Sequence, residues 1–304
     1  MADFTAADVK ALREKTGCGM MDCKKALTET NGDMLKATDF LREKGLAAAA
    51  KKSARVAAEG VAYAKTNKSS TIGAVVEINS ETDFVAKNLD FMNFVELCAD
   101  TIIENNPKDI DTLISCKTST GEVLGDILTK KIATIGENIK IRRFKRFEGF
   151  VTTYVHANGR IAVMLNAKMN VDTNSNSVIK DALKDIAMQI AAVNPGYLNR
   201  ESVPSEVLEK EKNILKEQVL NEGKPESIVE KIVMGKLNKF YKDNCLLEQV
   251  FVKDNNMTVN QYLKNVSSCA GTDISILDFV RYEKGEGITK KEENFADEVA
   301  NLVK

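Results

Sequence analysis

The 304-residue chain is poor in the residues from which most enzyme sites are made: it has one histidine, His156, no tryptophan and four prolines. With a single imidazole, a metal centre would have to be built from thiolates and carboxylates, and these show no ligand spacing. The six cysteines, Cys18, Cys23, Cys98, Cys116, Cys245 and Cys269, are scattered, the nearest pair five residues apart. Such a pattern holds neither a C-x-x-C motif nor a dense disulfide framework, so free thiols in a reducing compartment are expected. Glycine-rich phosphate and dinucleotide signatures are missing, as is the G-x-S-x-G elbow. Covalent catalysis, a metal ion and a cofactor are therefore not expected.

An excess of either charge is missing too. Lys plus Arg number 43 against 44 Asp plus Glu, for a net charge of -1. The whole molecule thus carries no field suited to coating nucleic acid or an anionic membrane, and a polyanion would need a local patch. No apolar run approaches the roughly 18 residues of a spanning helix, and Met1 to Asp8 lack the cationic and apolar parts of a signal peptide. The expectation is a soluble, cytoplasmic protein. Hydrophobic residues at 43% and charged residues at 29% suit a packed chain, and the length suits about two domains with appendages.

Thr5 and Asp8 have the spacing of a capping box, and Val9 and Leu12 continue one helical stripe, which predicts a helix over 6–15. Thr16 to Gly19 is a turn. Met20, Cys23, Ala26 and Leu27 mark a second helix closed by Asn31-Gly32. Asp33 caps a third helix, with Met34, Ala37, Phe40 and Leu41 on one face and a stop at Gly45. Residues 46–58 read as a solvated helical linker, so a first domain spans 1–55. From Gly60 the period changes to that of two antiparallel strands and a helix ending before Asn105-Asn106-Pro107. A second pass of strands and helix runs over 137–193, and the two passes resemble one strand-strand-helix unit used twice. The predicted class is α+β, with core subdomains over 56–136 and 137–200. Residues 201–246 form an antiparallel helical hairpin turning at Asn221 to Pro225. Residues 247–304 return to the core as a strand over Ile274 to Tyr282 and a last helix marked by Phe295, Val299 and Leu302.

The segment Ser80 to Ala86 sits where a strand gives way to a helix. One reading is a cap, with Thr82 or Asp83 accepting first-turn amides and Phe84 packing inward. The other is a carboxylate and a phenyl ring held as a wedge for a partner, whose burial contributes about 1.5–3 kcal/mol. Residues 140–146, KIRRFKR, carry five positive charges; they suit either an RNA contact or the charged, solvated face of an edge strand. His156, before a hairpin turn, suggests contact more than catalysis. Of Met20 and Met21, one is expected in the core.

Six stretches, LREKTGCGMMDCKKALTETNGD near the start, TDFVAKN at 82–88, IGENIKIRR at 135–143, VHANGRIAV at 155–163, GKPESIVEKIVMGKLNKF at 223–240 and VRYEKGEGI at 280–288, together resemble the elongation factor Ts family, in family order along the whole chain. The resemblance implies an N-terminal three-helix domain of ubiquitin-associated type, a core of two related α/β subdomains with antiparallel sheets, a projecting helical hairpin and a C-terminal helical module. It implies a factor that binds elongation factor Tu, with GDP or without nucleotide, and speeds nucleotide release without covalent chemistry. By matched position, Thr82, Asp83, Phe84 and Val85 reach the partner's magnesium site. Ile135, Gly136 and His156 press on a helix beside its phosphate loop, and Arg13, Met20, Met21 and Val252 dock from the side. Asn79-Ser80-Glu81 and Lys253 depart from the common family pattern; the first places an extra charge beside the wedge.

Three other readings stay open. A binding module centred on the first three helices predicts partner binding by residues 1–55 alone. An RNA-binding protein predicts affinity that falls steeply with salt, and an enzyme predicts turnover with no partner protein present. Self-association through the hairpin is left open as well.

Overall fold

The computed structural model describes residues 4–170 and 177–289. The chain begins with three helices, α1 (Ala6–Thr16), α2 (Met20–Glu29) and α3 (Met34–Lys52). Thr5 caps α1 as a full capping box, its hydroxyl accepting from the Asp8 amide while the Asp8 carboxylate accepts from the Thr5 amide at 2.7 Å. Asp33 caps α3 by accepting from the amides of Leu35 and Lys36. Val9, Leu12, Cys23, Ala26, Leu27, Ala37 and Leu41 close a small core between them.

Two expectations for this region are corrected. Both Met20 and Met21 are exposed, at 47% and 73%, because Cys23, Ala26 and Leu27 already fill the inner face of α2. The third helix does not stop at Gly45: it runs through to Lys52, and Gly45 is buried where α3 crosses the later helix over Leu124–Ile135. A glycine reads as a stop because its freedom suits a C-cap; here the missing side chain serves a helix crossing. The segment after it is also less solvated than a linker, since Ala49 packs on the neighbouring core and Ala57 and Ala58 are buried. A Cβ at position 45 would lie 3.6 Å from the Ala133 Cβ and 3.9 Å from the Thr129 Cγ2, both ordinary contacts. Gly45→Ala is accordingly expected to raise stability by up to about 1 kcal/mol through helix propensity. Thermal unfolding checks this; a lowered Tm would mean that the crossing has no room for a methyl group.

The body follows as β1 (Glu59–Thr66), β2 (Ile72–Ser80), the single turn α4 (Asp83–Ala86), α5 (Leu89–Asn105), α6 (Ile110–Ser115), α7 (Leu124–Ile135) and β3 (Lys140–Glu148). Then come β4 (Phe150–His156), β5 (Ile161–Met169), α8 (Ser177–Val193), α9 (Ser205–Asn221) and α10 (Glu226–Asn244). The described chain ends with β6 (Val250–Phe251), β7 (Asp254–Thr258), α11 (Val259–Ala270) and β8 (Ile274–Glu283). The expected last helix around Phe295 to Leu302 lies outside the described residues.

Strands β1-β2-β3 form one antiparallel sheet and β4-β5-β8 another. The two sheets stack face to face over Ala62, Ala64, Val75, Phe147, Val151, Ala162 and Met164. Small side chains let them approach: a Cβ on Gly73 would stand 2.5 Å from a Val151 methyl carbon. Helices α5 and α7 cover the outer face of the first sheet with Phe91, Phe94, Cys98, Ile102, Leu124 and Ile127. Helices α8 and α11 cover the second with Leu183, Ile186, Ile190 and Leu263. The molecule is thus α+β, and β2, covered on both faces, has every residue from Gly73 to Ser80 buried.

The repeated unit is present in a form the sequence pattern does not convey. Each unit is a hairpin, a helix, and a third strand that returns to pair with the second hairpin strand. The strand at 140–148 therefore completes the first unit instead of opening the second, whose third strand is β8. An unpaired β2 edge would leave a row of amides and carbonyls without partners, and β3 supplies them.

Strand β3 is an edge of its sheet, as one reading of KIRRFKR has it, but its charged face is only partly solvated. Lys140 and Lys145 are exposed, but Arg142 and Arg143 turn inward to Glu77, at 2.9 and 2.6 Å, and Arg146 donates to the Ile103 carbonyl. Those three arginines are occupied by the fold, leaving two lysines where a polyanion would need a patch. Helices α9 and α10 form the expected hairpin, burying Leu215, Val219, Val229 and Val233 between themselves.

Candidate functional site

The corner between β2 and α5 carries Thr82 to Val85. Within the single turn α4, Phe84 points out, 79% exposed, and Val85 points into the first core, 8% exposed. The inward-facing Phe84 of the capping reading is thereby overturned, and Val85 holds the turn from below. Thr82 occupies the N-cap position, but its hydroxyl accepts no amide of the first turn. It donates to Oε1 of Glu137 at 2.7 Å, while Oε2 of the same carboxylate accepts the amides of Glu81 and Thr82 at 3.1 and 3.0 Å. In return Oε1 of Glu81 accepts the Asn138 amide at 2.6 Å and pairs with Arg55 at 3.5 Å. The extra charge expected beside the wedge is therefore turned into this clasp.

Asp83 is bonded to Lys87 at 2.7 Å. The Lys87 ammonium, aided by Lys284 nearby, holds the Asp83 carboxyl below the ordinary carboxylate value, so it is ionised at neutral pH. The same ammonium stands 6.0 Å from the centre of the Phe84 ring.

Ile135 and Gly136 end α7. Ile135 is half-buried against the first core, and Gly136 is exposed in the left-handed region at φ 88°, the geometry of a helix C-cap. Glu137 follows directly, so its clasp joins this helix end to the Thr82–Val85 corner. His156 ends β4, exposed, with Nδ1 3.0 Å from the Tyr154 hydroxyl. The turn after it packs Gly159 beneath Val61, the β1 residue opposite Ile78. It thus lies on the part of the first sheet that leads into the corner.

The remaining expected residues stand apart. Arg13, Met20 and Met21 are exposed on the first three helices. Val252 is 46% exposed, and its amide donates to the buried Gln189 at 2.8 Å. Lys253 beside it is paired with Asp185 at 2.6 Å. Among the described residues no hydrogen bond or ion pair links these four to the corner.

Sequence reasoning gives Glu137 and Gln189 no role, and reads Glu81 only as an added charge and not as half of a clasp. For Gln189 a signal existed, a polar residue within the apolar stripe of α8. For the other two none did, because their partners lie more than 50 positions away along the chain. Among the described residues no group of three or more His, Cys, Asp or Glu side chains is placed to hold a metal ion, and no helix is long and apolar enough to cross a membrane.

The fold and this corner define an α+β protein that holds an apolar ring out in water on a turn clasped by hydrogen bonds. Residues 81–286 match the family model described as Elongation factor TS. The chain is 50% identical over 302 residues to the elongation factor Ts of Clostridium perfringens (strain SM101 / Type A), covering 98% of this chain and 99% of that one. It is 48% identical over 305 residues to that of Clostridium kluyveri (strain ATCC 8527), covering 99% of both, and 48% identical over 300 residues to that of Clostridium botulinum (strain Eklund 17B / Type B), covering 98% of both. The chain belongs to the elongation factor Ts family, and so to the elongation factors of protein synthesis.

Proposed function

We propose that this protein is a guanine nucleotide exchange factor that binds elongation factor Tu carrying GDP and speeds release of the nucleotide in the cytoplasm. The observation that carries the reading is Phe84: a phenyl ring 79% exposed on a corner clasped through Glu137 suits insertion into a partner more than any role within this chain. In this reading Asp83 and Phe84, presented by Thr82 and Val85, enter the partner near its magnesium site. Ile135, Gly136 and His156 press on the helix beside its phosphate loop, while Arg13, Met20, Met21 and Val252 dock from the side.

The mechanism is one of linkage. Factor and nucleotide favour different conformations of the same partner, so each weakens the other's binding by the same ratio. Neither a nucleophile nor a resident metal is needed for that, since no bond in the nucleotide breaks. The test is the release of fluorescent GDP from elongation factor Tu under excess unlabelled nucleotide, with and without this protein. Acceleration that rises with the concentration of this protein is expected. A folded sample that leaves the rate unchanged would overturn the reading. An RNA-binding role is disfavoured by the inward commitment of Arg142, Arg143 and Arg146.

A further inference from the structure

We propose that Glu137 is the positioning residue of the exchange site: its carboxylate stands in for the carboxylate half of a capping box at α4, fixes the direction in which Phe84 is presented, and ties that corner to the end of α7. The inference rests on the exchange reading for its functional consequence and on the geometry alone for the brace.

A one-turn helix cannot hold its own orientation. Four residues, Asp83–Ala86, supply few internal hydrogen bonds, and forming so short a turn in isolation is unfavourable. In a capping box the amide of the N-cap residue is accepted by a carboxylate three positions along the same helix. Here that carboxylate comes from 55 positions away: Oε2 of Glu137 takes the Thr82 amide at 3.0 Å, with the preceding Glu81 amide at 3.1 Å. Oε1 takes the Thr82 hydroxyl at 2.7 Å, which draws it away from the first turn. Glu81 answers through the Asn138 amide, so the two strands of the clasp are crossed twice. Val85 beneath is buried, and Phe84 beyond is free. The only direction left to the ring is outward.

Glutamine separates this role from a direct one. Its Oε1 can accept both amides while its Nε2 donates to the Thr82 hydroxyl oxygen, so the isostere rebuilds the brace without the charge. We expect Glu137→Ala to lower acceleration of GDP release by about tenfold to a hundredfold, the scale of a misplaced reacting group, and Glu137→Gln to restore most of it. Thr82→Val, which removes one of the three bonds, should fall between. In the Phe84→Ala background Glu137→Ala should cost clearly less than it does alone, because the ring it chiefly positions is gone. Amide hydrogen exchange of the free protein should show residues 81–84 opening faster in Glu137→Ala and protected in Glu137→Gln.

The proposal is overturned if Glu137→Ala accelerates release as well as the parent protein. It is also overturned if Glu137→Gln fails as badly as alanine while amides 81–84 stay protected, since the charge would then act on the partner itself. A parent protein that does not accelerate release would defeat the exchange reading, yet the amide measurement would still decide whether Glu137 braces the corner.

Discussion

Phe84→Ala is expected to keep the fold and lose most of the exchange activity. The ring is 79% exposed, so its removal deletes little packing, and stability should stay within about 0.5 kcal/mol of the parent, as for ordinary surface substitutions. The same ring buried in a partner contributes about 1.5–3 kcal/mol from apolar area alone, and a central aromatic anchor reaches about 2–4 kcal/mol. At about 1.4 kcal/mol per factor of ten, that corresponds to a loss of roughly tenfold to a thousandfold in the concentration-dependent acceleration of GDP release. Both quantities are measured on one preparation, Tm by thermal unfolding and release by stopped flow. A Tm lowered by 5 °C or so with activity little changed would make the ring structural and would remove the observation on which the function rests.

What separates the two readings of Ser80 to Ala86 is burial, which a local pattern does not contain. Thr82 at the start of a helix is indistinguishable in sequence from a capping threonine, and its actual partner, the Glu137 carboxylate, lies 55 positions away. Elements with local signals are legible: Thr5 with Asp8 and Asp33 announce α1 and α3, and the stripe Phe91, Phe94, Cys98, Ile102 announces α5. The helices α6, α7 and α11, absent from the expected elements, carry local signals as well: Asp109 as a cap, Leu124, Ile127 and Ile132 with Gly136 behind them, and the Thr258–Gln261 capping box. Partnerships between strands are not legible in this way. β3 follows a long helical insertion and faces the chain's second half, yet it pairs backward with β2, because that edge was open.

The largest effect on stability is expected at Glu77. This glutamate is fully buried on β2, and its two oxygens accept from Arg142 at 2.9 Å, Arg143 at 2.6 Å, the Asn79 amide group at 3.1 Å and the Gly285 backbone amide at 2.8 Å. Arg143 in turn stacks on Tyr282, 4.2 Å from the ring centre, and pairs with Glu286 at 2.9 Å. One carboxylate thus joins β2, β3 and the end of β8, strands from both sheets. Removing one partner of such a cluster leaves the others desolvated without compensation, which costs about 3–5 kcal/mol. The arginines keep some access to water, with side chains 26% and 31% exposed, so the lower end, about 3 kcal/mol, is expected for Glu77→Ala. At roughly 2 °C per kcal/mol for a chain of this size, Tm should fall by about 6 °C. Arg143→Ala in the same background should add far less than it does alone, a coupling of about 1 kcal/mol or more. A change below about 1 kcal/mol for Glu77→Ala would show that the cluster opens to water and carries little. Glu77 lies three residues before Ser80 and makes no bond to the clasp. GDP release measured well below Tm should therefore be close to that of the parent, which sets the cluster that joins the sheets apart from the corner that Glu137 holds.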